Sequence, residues 1–423
     1  MKNVLIISYY WPPSGGGGVQ RVLKFCKYLP DYGWNPIVLT VKDGEFPAFD
    51  NSLLKEVNDI VCIKAKGFSL YSIFKKFSGK KKVPSHQISP GGSDNLILRL
   101  ARWIRFNLII PDGRIGWYLG AIKAAKKIIN DNNIDMIFTS GPPHSVHLIG
   151  NSLAKKTGIK WVTDFRDPWT DNFYYNENPR NFLITYLDNY LEKLVLKRCD
   201  YLITVSNGFL SLLNKNNYLN KKSKIIYNGY DPDDFLTQKK KHYSNNNIII
   251  SHIGTLSKSQ NTKGLFDSVK RYNNLNKGKI ILIKCIGDTH SSIEQYATKI
   301  GASRFLSIIN YVEHSLAISE MISSDILFLV IPDTINNSGI IPAKLFEYIA
   351  SGTEIILIGE KNSEASKILQ EFGYKYVYDI NDKIDFNNIL INKSKIKMNL
   401  NKISRFEQSK QLSQIFDMVL SKI

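Results

Sequence analysis

One feature constrains this chain more than any other: short, unbroken runs of β-branched and aliphatic residues alternate with helix-like segments from end to end. "NVLIIS", "NPIVLTV", "DIVCIKA", "IDMIFTS", "IKWVTDF" and "YLITVS" recur in the first half, and "IIISHIG", "KIILIKCIG", "RFLSIIN", "DILFLV" and "EIILIG" in the second. Strands that are apolar without alternation are buried on both faces, the pattern of parallel sheets covered by helices on either side. Two such series predict an α/β chain with two doubly wound, Rossmann-like domains. The length of 423 residues agrees, because a single core stops growing well short of it. The polar stretch "DPDDFLTQKKKHYSNNN" from Asp231 is the best linker candidate. The tail "RFEQSKQLSQIFDMVLSKI" reads as one helix, with Phe406, Leu412, Ile415, Phe416, Val419 and Leu420 available for an apolar stripe.

Composition excludes some classes. No segment approaches the ~18 consecutive apolar residues of a membrane span. The opening "MKNVLIISYYWPP" lacks a small-residue cleavage site and reads as a first strand rather than a signal peptide, so a cytoplasmic location is expected. Cys26, Cys62, Cys199 and Cys285 are scattered without ligand spacing, so neither a zinc site nor a disulfide framework is expected. The formal charge of +19 calls for a polyanionic partner. In "KAKGFSLYSIFKKFSGKKKVP" seven lysines, Lys80, Lys81 and Lys82 among them, interleave with apolar residues. That pattern fits an anionic membrane surface and a solvated basic loop equally. Aromatic and basic residues also mix in "LARWIRFNLIIPDGRIGWYLGAIKAAKK", which suits lipid headgroups or a lipid-linked acceptor as well as core packing. Nucleic acid ranks lower, since no helix-turn-helix, zinc-finger or RNP pattern is present.

The loop "SYYWPPSGGGGVQRVLKF" follows the first strand and opens a helix. Glycines there leave backbone N–H groups free to face an anion at a helix N-terminus. There is no GxxxxGK[ST], which argues against a P-loop, and the third glycine and strand-two acid of a dinucleotide fingerprint are missing. A phosphate loop and a plain tight turn both remain.

"YYWPPSGGGGVQRVLKFCKYLPDYGWNPIVLT", "TSGPPHSVHLIGNSLAKKTGIKWVTDFRDPWT", "YLITVSNGF", "KIIYNGYDPDDF" and "IPAKLFEYIASGTEIILIG" occur in an order and spacing that resembles the retaining glycosyltransferases of family 4, also called group 1. The resemblance implies the GT-B fold, with an interdomain cleft between an N-terminal acceptor-binding domain, 1–225, and a C-terminal donor-binding domain, 226–404. It also implies that the tail 405–423 crosses back to the first domain. It gives Gly16 and Gly17 a role in letting the backbone approach a donor diphosphate. Glu347 matches the second Glu of the family's paired-Glu signature, which binds ribose hydroxyls, whereas the first falls on Gly339. Gly339, Ile340 and Ile341 then lead into a helix whose amides could hold phosphate, and Lys344 lies three residues before Glu347, placed for a ligand contact or a helix-surface ion pair. Charge developing on the departing diphosphate needs cations. Thr255 stands where the family usually has Arg, with Lys263 and then Lys258 as the candidate cations. His144 falls near the place of a functional family histidine, with His147 read as helix packing. Asp164 and Arg166, with Asp167 beside them, end a strand where they could position an acceptor or bridge one another. "DPDDF" resembles a metal-binding DxD, but the family context implies no metal.

The expected activity is transfer of a sugar from a nucleotide-diphosphate sugar, a UDP-sugar foremost, to a glycan or lipid-linked acceptor with retention, in cell-surface polysaccharide biosynthesis. The transferred group would be a hexosyl or N-acetylhexosaminyl unit. No cofactor is expected, and the location would be cytoplasmic or peripheral on the membrane's inner face. The rivals are a sugar-nucleotide epimerase on the same fold and a non-catalytic scaffold of polysaccharide assembly, the latter motivated by Gly339 and Thr255.

Overall fold

The structure is a computed structural model that describes residues 1–46, 48–68, 103–171, 180–219, 222–236, 238, 240, 247–275, 278–335, 337–397 and 399–421. Lys80, Lys81 and Lys82 lie outside the described residues.

The chain forms two compact units. The first comprises Met1–Val205, Phe209–Tyr227 and Gln408–Ile423. Its sheet contains β1 (Lys2–Ile7), β2 (Trp34–Val41), β3 (Val61–Ala65), β4 (Ile134–Gly141), β5 (Lys160–Phe165), β6 (Tyr201–Thr204) and β7 (Ser223–Ile225). The strands are parallel in the order β3-β2-β1-β4-β5-β6-β7. Successive side chains of a strand point to opposite faces, and here both faces are cores. Leu5, Ile7, Leu39 and Ile137 join one cluster, while Val4, Ile6, Val38 and Phe138 join the other. This double burial is why these strands read as apolar without alternation.

Helices α1 (Gly17–Tyr28), α2 (Tyr118–Asn132), α3 (Ser145–Thr157) and α4 (Phe182–Arg198) cover the sheet. The C-terminal helix Arg405–Leu420 joins this unit from Gln408 onward. Its Leu412, Ile415, Phe416 and Val419 are buried in the cluster of Trp34 and Phe138, with Phe416 edge-on to both rings at 5.0 and 5.6 Å. Phe406, the first residue of the expected stripe, is 45% exposed, because the stripe begins only where the helix meets this core.

The second unit, Ser206–Gly208 with Asn228–Glu407, is built on β8 (Asn247–Ile253), β9 (Ile280–Ile286), β10 (Leu306–Ile309), β11 (Ile326–Val330), β12 (Glu354–Ile358) and β13 (Tyr376–Tyr378). The order is β10-β9-β8-β11-β12-β13, again parallel. Helices α5 (Lys263–Leu275), α6 (His314–Ser323) and α7 (Lys344–Ser351) matter below. The stretch read as a linker opens instead with a short helix, Pro232–Leu236, whose Asp234 reaches His314 at 3.1 Å. The three-residue strands β7 and β13 were not legible as runs, being too short to show a period.

Both units are Rossmann-like, as the sequence rhythm predicts. In each, the strand order reverses beside the first strand, at β1/β4 and at β8/β11. Such switch points open a crevice at the carboxyl ends of the strands, and the singled-out motifs sit there.

Candidate active site

In the second unit the site starts at the end of β8. Gly254 follows the strand with φ +119°, and a Cβ built on it would lie 2.5 Å from Lys344 Nζ, so only glycine lets the lysine lie across this turn. Lys344 begins α7 and places Nζ 3.0 Å from His252 Nε2, with the Thr255 carbonyl at 3.5 Å. His252 is buried, and its Nδ1 lies 3.0 Å from the Phe328 carbonyl. Burial, with the Lys344 charge adding to it, pulls His252 down to about 3. The ring is therefore neutral, Nδ1–H donates to Phe328, and Nε2 is left to accept from the lysine ammonium. Burial also lowers Lys344 to about 8, against an opposing pull from Glu347. The Tyr348 hydroxyl accepts from the Ile253 amide at 2.8 Å, which pins α7 to the strand end.

Glu347 lies one turn along α7, with 21% of its side chain exposed and 3.9 Å from His314 Nε2. His314 is itself 3.1 Å from Asp234. Burial raises the Glu347 carboxyl above its ordinary value, His314 works against that, and Asp234 works with it. The helix-surface pair Lys344–Glu347 is not formed among the described residues; the lysine turns to His252 instead. One end of α7 thus presents an ammonium and a carboxylate side by side, a set that can meet a phosphate and a diol.

Of the other expected residues of this unit, Thr255 meets Lys344 through its carbonyl. Gly339 is buried in a 3₁₀ turn, Asn337–Gly339, and a Cβ there would come 2.7 Å from the Cα of Gly208, which belongs to the same unit. A glutamate at this position would have no room, which accounts physically for the departure from the paired-Glu pattern. Ile340 donates its amide to the Asn337 carbonyl at 3.0 Å and Ile341 is buried. Thr255 and Lys258 are exposed. Lys263 starts α5 and places Nζ 5.7 Å from the Tyr296 ring. Within "DPDDF", Asp231 accepts from the Asp233 amide at 3.1 Å and Asp234 faces His314.

In the first unit, Gly16 caps α1 with φ 102° and ψ 161°, a conformation that L-residues avoid, and its carbonyl accepts from Val19 at 3.0 Å. Gly17 opens the helix. Gly18 is small for another reason: a Cβ would come 2.7 Å from the Arg166 guanidinium. Arg166 is buried and donates to the carbonyls of Gly18, Gly141 and Pro142, tying the glycine loop to the loop after β4. Burial lowers its pKa, with Asp164 opposing.

Asp164 is fully buried and pairs with Arg21 at 2.9 Å, not with Arg166, while Ser140 donates to it at 2.7 Å. Arg21 Nη1 also reaches the Tyr227 carbonyl at 2.9 Å. Asp164 therefore holds the Arg21 and Ser140 side chains and Arg166 holds backbone, with little surface left on either for an acceptor. His144 is stacked on Trp169 at 5.1 Å and is 6% exposed. Burial, helped by Arg166, pulls it down to about 3, and its Nδ1 has no hydrogen-bond partner among the described residues. His147 lies fully buried against Phe165 at 4.2 Å, packed as its position in the helix implied.

His252 beside Lys344, His314 with Asp234 beside Glu347, and Arg21 on Asp164 were not singled out from the sequence. His252 carried a signal, a polar residue inside the buried run "IIISHIG" two positions before Gly254. Arg21 carried one as well, a cation on the apolar helix after the glycines. His314 and Asp234 meet across 80 residues of chain, and no local pattern marks them.

Residues 15–234 match the family model for Glycosyltransferase Family 4. Comparison with curated proteins gives no match. Among solved structures, the chain is similar to sucrose-phosphate synthase from Thermosynechococcus elongatus, with TM-score 0.64 and 11% identity over 100% of this chain and 97% of that one. It is similar to HepE of Anabaena in complex with UDP and glucose, with TM-score 0.58 and 12% identity over 100% and 98%. It is also similar to a glycosyltransferase from Rickettsia africae, with TM-score 0.56 and 16% identity over 100% and 96%. With more than half of its length matched to the family, two parallel Rossmann-like sheets and these neighbours, the chain belongs to glycosyltransferase family 4 and is a glycosyltransferase of the GT-B type.

Proposed function

We propose that the protein transfers a hexosyl or N-acetylhexosaminyl group from a UDP-sugar to a glycan or lipid-linked acceptor, with retention at the anomeric carbon, in the assembly of a cell-surface polysaccharide. The observation that supports this most is the pairing at α7: the Lys344 ammonium, fixed by His252 over Gly254, beside the half-buried Glu347 carboxylate. The lysine meets the donor diphosphate, Glu347 accepts from the ribose hydroxyls, and Lys263 and Lys258 add positive potential. His144, neutral and with an unused ring nitrogen, accepts from a sugar or acceptor hydroxyl. On this reading the second unit holds the donor and the first the acceptor.

In the transfer step the anomeric carbon–phosphate oxygen bond breaks and a bond to the acceptor oxygen forms on the same face. The acceptor proton passes to the departing phosphate, so no side-chain pair of acid and base is required, unlike in a two-carboxylate hydrolase. The cations act by holding the charge that accumulates on the diphosphate. The HepE structure contains UDP and glucose, which is consistent with a uridine donor here.

A thermal-shift panel of nucleotide sugars tests the proposal, since a ligand at a hundred times its Kd stabilises by about 2.7 kcal/mol. A UDP-sugar is expected to raise Tm, and Glu347→Ala to weaken its affinity about tenfold or more through loss of a charged hydrogen-bond acceptor, which cuts the shift at the same ligand concentration to about half or less. If no nucleotide sugar shifts Tm, or if the donor sugar is epimerised without any acceptor, the reading fails.

A further inference from the structure

Helix α4 in the first unit reverses the usual arrangement of a surface helix. Asp188 and Glu192, four residues apart and so on one face, are buried. Asp188 accepts from Trp169 Nε1 at 2.8 Å and pairs with Arg180, and Glu192 accepts from the Thr170 hydroxyl. The outward face instead carries Phe182, Leu183, Tyr186, Leu187 and Tyr190, which are 76, 60, 74, 43 and 52% exposed. Lys193, Lys197 and Arg198 continue the exposed surface to the end of the helix. Both acids of α4 point inward, so its outer face combines aromatic and aliphatic groups with cations and no carboxylate. The helical turn at 103–107 adjoins it, with Asn107 Oδ1 accepting from the Asn181 amide at 2.7 Å. That turn adds Trp103 and Leu108, 54 and 64% exposed, and the exposed Arg105.

We propose that this face is a docking surface for an anionic lipid bilayer, a step that rests on the lipid-linked branch of the acceptor reading. Single exposed apolar residues need no partner, but a contiguous patch along a helix does. Its chemistry selects the occupant. Tyrosine and tryptophan suit the headgroup level of a membrane, and lysine stems lie along an apolar surface while their ammonium groups reach phosphate. A helix of this length, roughly 25 Å, lies in the plane of the interface with its cations at one end. A second copy is a poorer fit, because among the described residues α4 has no exposed carboxylate to meet the cations of another copy.

The test uses the full chain in co-sedimentation with vesicles of phosphatidylcholine alone and of phosphatidylcholine with phosphatidylglycerol, at low and high salt. Binding to the anionic vesicles, weakened by salt, is expected. Two exposed-face variants, Leu183→Ser/Tyr186→Ser and Lys193→Gln/Lys197→Gln, are each expected to lower vesicle affinity about tenfold or more and to keep the nucleotide-sugar thermal shift. That retained shift separates the two readings: vesicle binding can fail while donor binding stands, and the reverse. The proposal is overturned if the wild type does not sediment with anionic vesicles, or if both variants bind like it. It is also overturned if binding is lost only on replacing Lys80, Lys81 and Lys82, or if the face proves to hold a dimer that Leu183→Ser/Tyr186→Ser dissociates.

Discussion

At the scale of single residues, burial controls protonation and protonation controls geometry. His252 has no access to water and stays neutral, so its Nε2 can accept from Lys344 and hold the ammonium at the strand end. Lys344 itself is lowered to about 8. A lysine binds anions while protonated, so its contribution to UDP affinity should be nearly complete at pH 7 and fall as pH rises through about 8. Lys344→Met should weaken UDP binding at neutral pH by about tenfold to a hundredfold, the value of a charged hydrogen bond, and remove the alkaline decline. Calorimetric Kd values across pH 6–10 would show both, and an unchanged decline in the variant would assign it elsewhere. Lys344 and Glu347 were legible in "AKLFEY", but their partners were not. Spacing of three residues left an ion pair within the helix and a ligand contact equally open, and only the position of His252 on a neighbouring element shows why the lysine does not pair with Glu347.

At the scale of elements, α4 shows how far a helix can depart from its local pattern. Glu192 is pushed up to about 7 by burial, above the unfolded value of about 4.3. The folded state then binds this proton more tightly than the unfolded one, so its contribution to stability is complete at low pH and lost as pH rises from about 4 to about 7. The loss can reach about 3 kcal/mol. Denaturation midpoints between pH 5 and 8 should therefore fall for the wild type and vary less for Glu192→Gln; parallel curves would remove Glu192 as the source. The glycine loop teaches a related lesson. The run Gly15–Gly18 was legible as a loop before a helix, yet its glycines serve different ends. Gly16 supplies a positive φ, and Gly18 makes room for Arg166, a residue almost 150 positions away.

At the scale of the whole molecule, the first unit is discontinuous in sequence. The C-terminal helix buries Leu412, Ile415, Phe416 and Val419 among Trp34, Phe138 and their neighbours. Each large apolar side chain contributes about 1.5–3 kcal/mol when fully buried, and a domain's net stability is only about 5–15 kcal/mol. A fragment ending at Tyr227 should thus lack a cooperative urea transition by circular dichroism. Appending residues 405–423 through a flexible linker should restore one. A fragment that unfolds cooperatively by itself would show that the helix is dispensable.

The sequence by itself determined the α/β class, the two series of parallel strands and the loops at their carboxyl ends, because periodicity is a local property; Glu347 and Lys344 became candidates only through the family resemblance of "AKLFEY". The tertiary structure decided which groups face one another: Arg21 rather than Arg166 on Asp164, His252 rather than Glu347 on Lys344, and Asp188 and Glu192 turned inward on α4. Those pairings join residues far apart in the chain, and their energies depend on burial and distance, which a linear pattern does not encode.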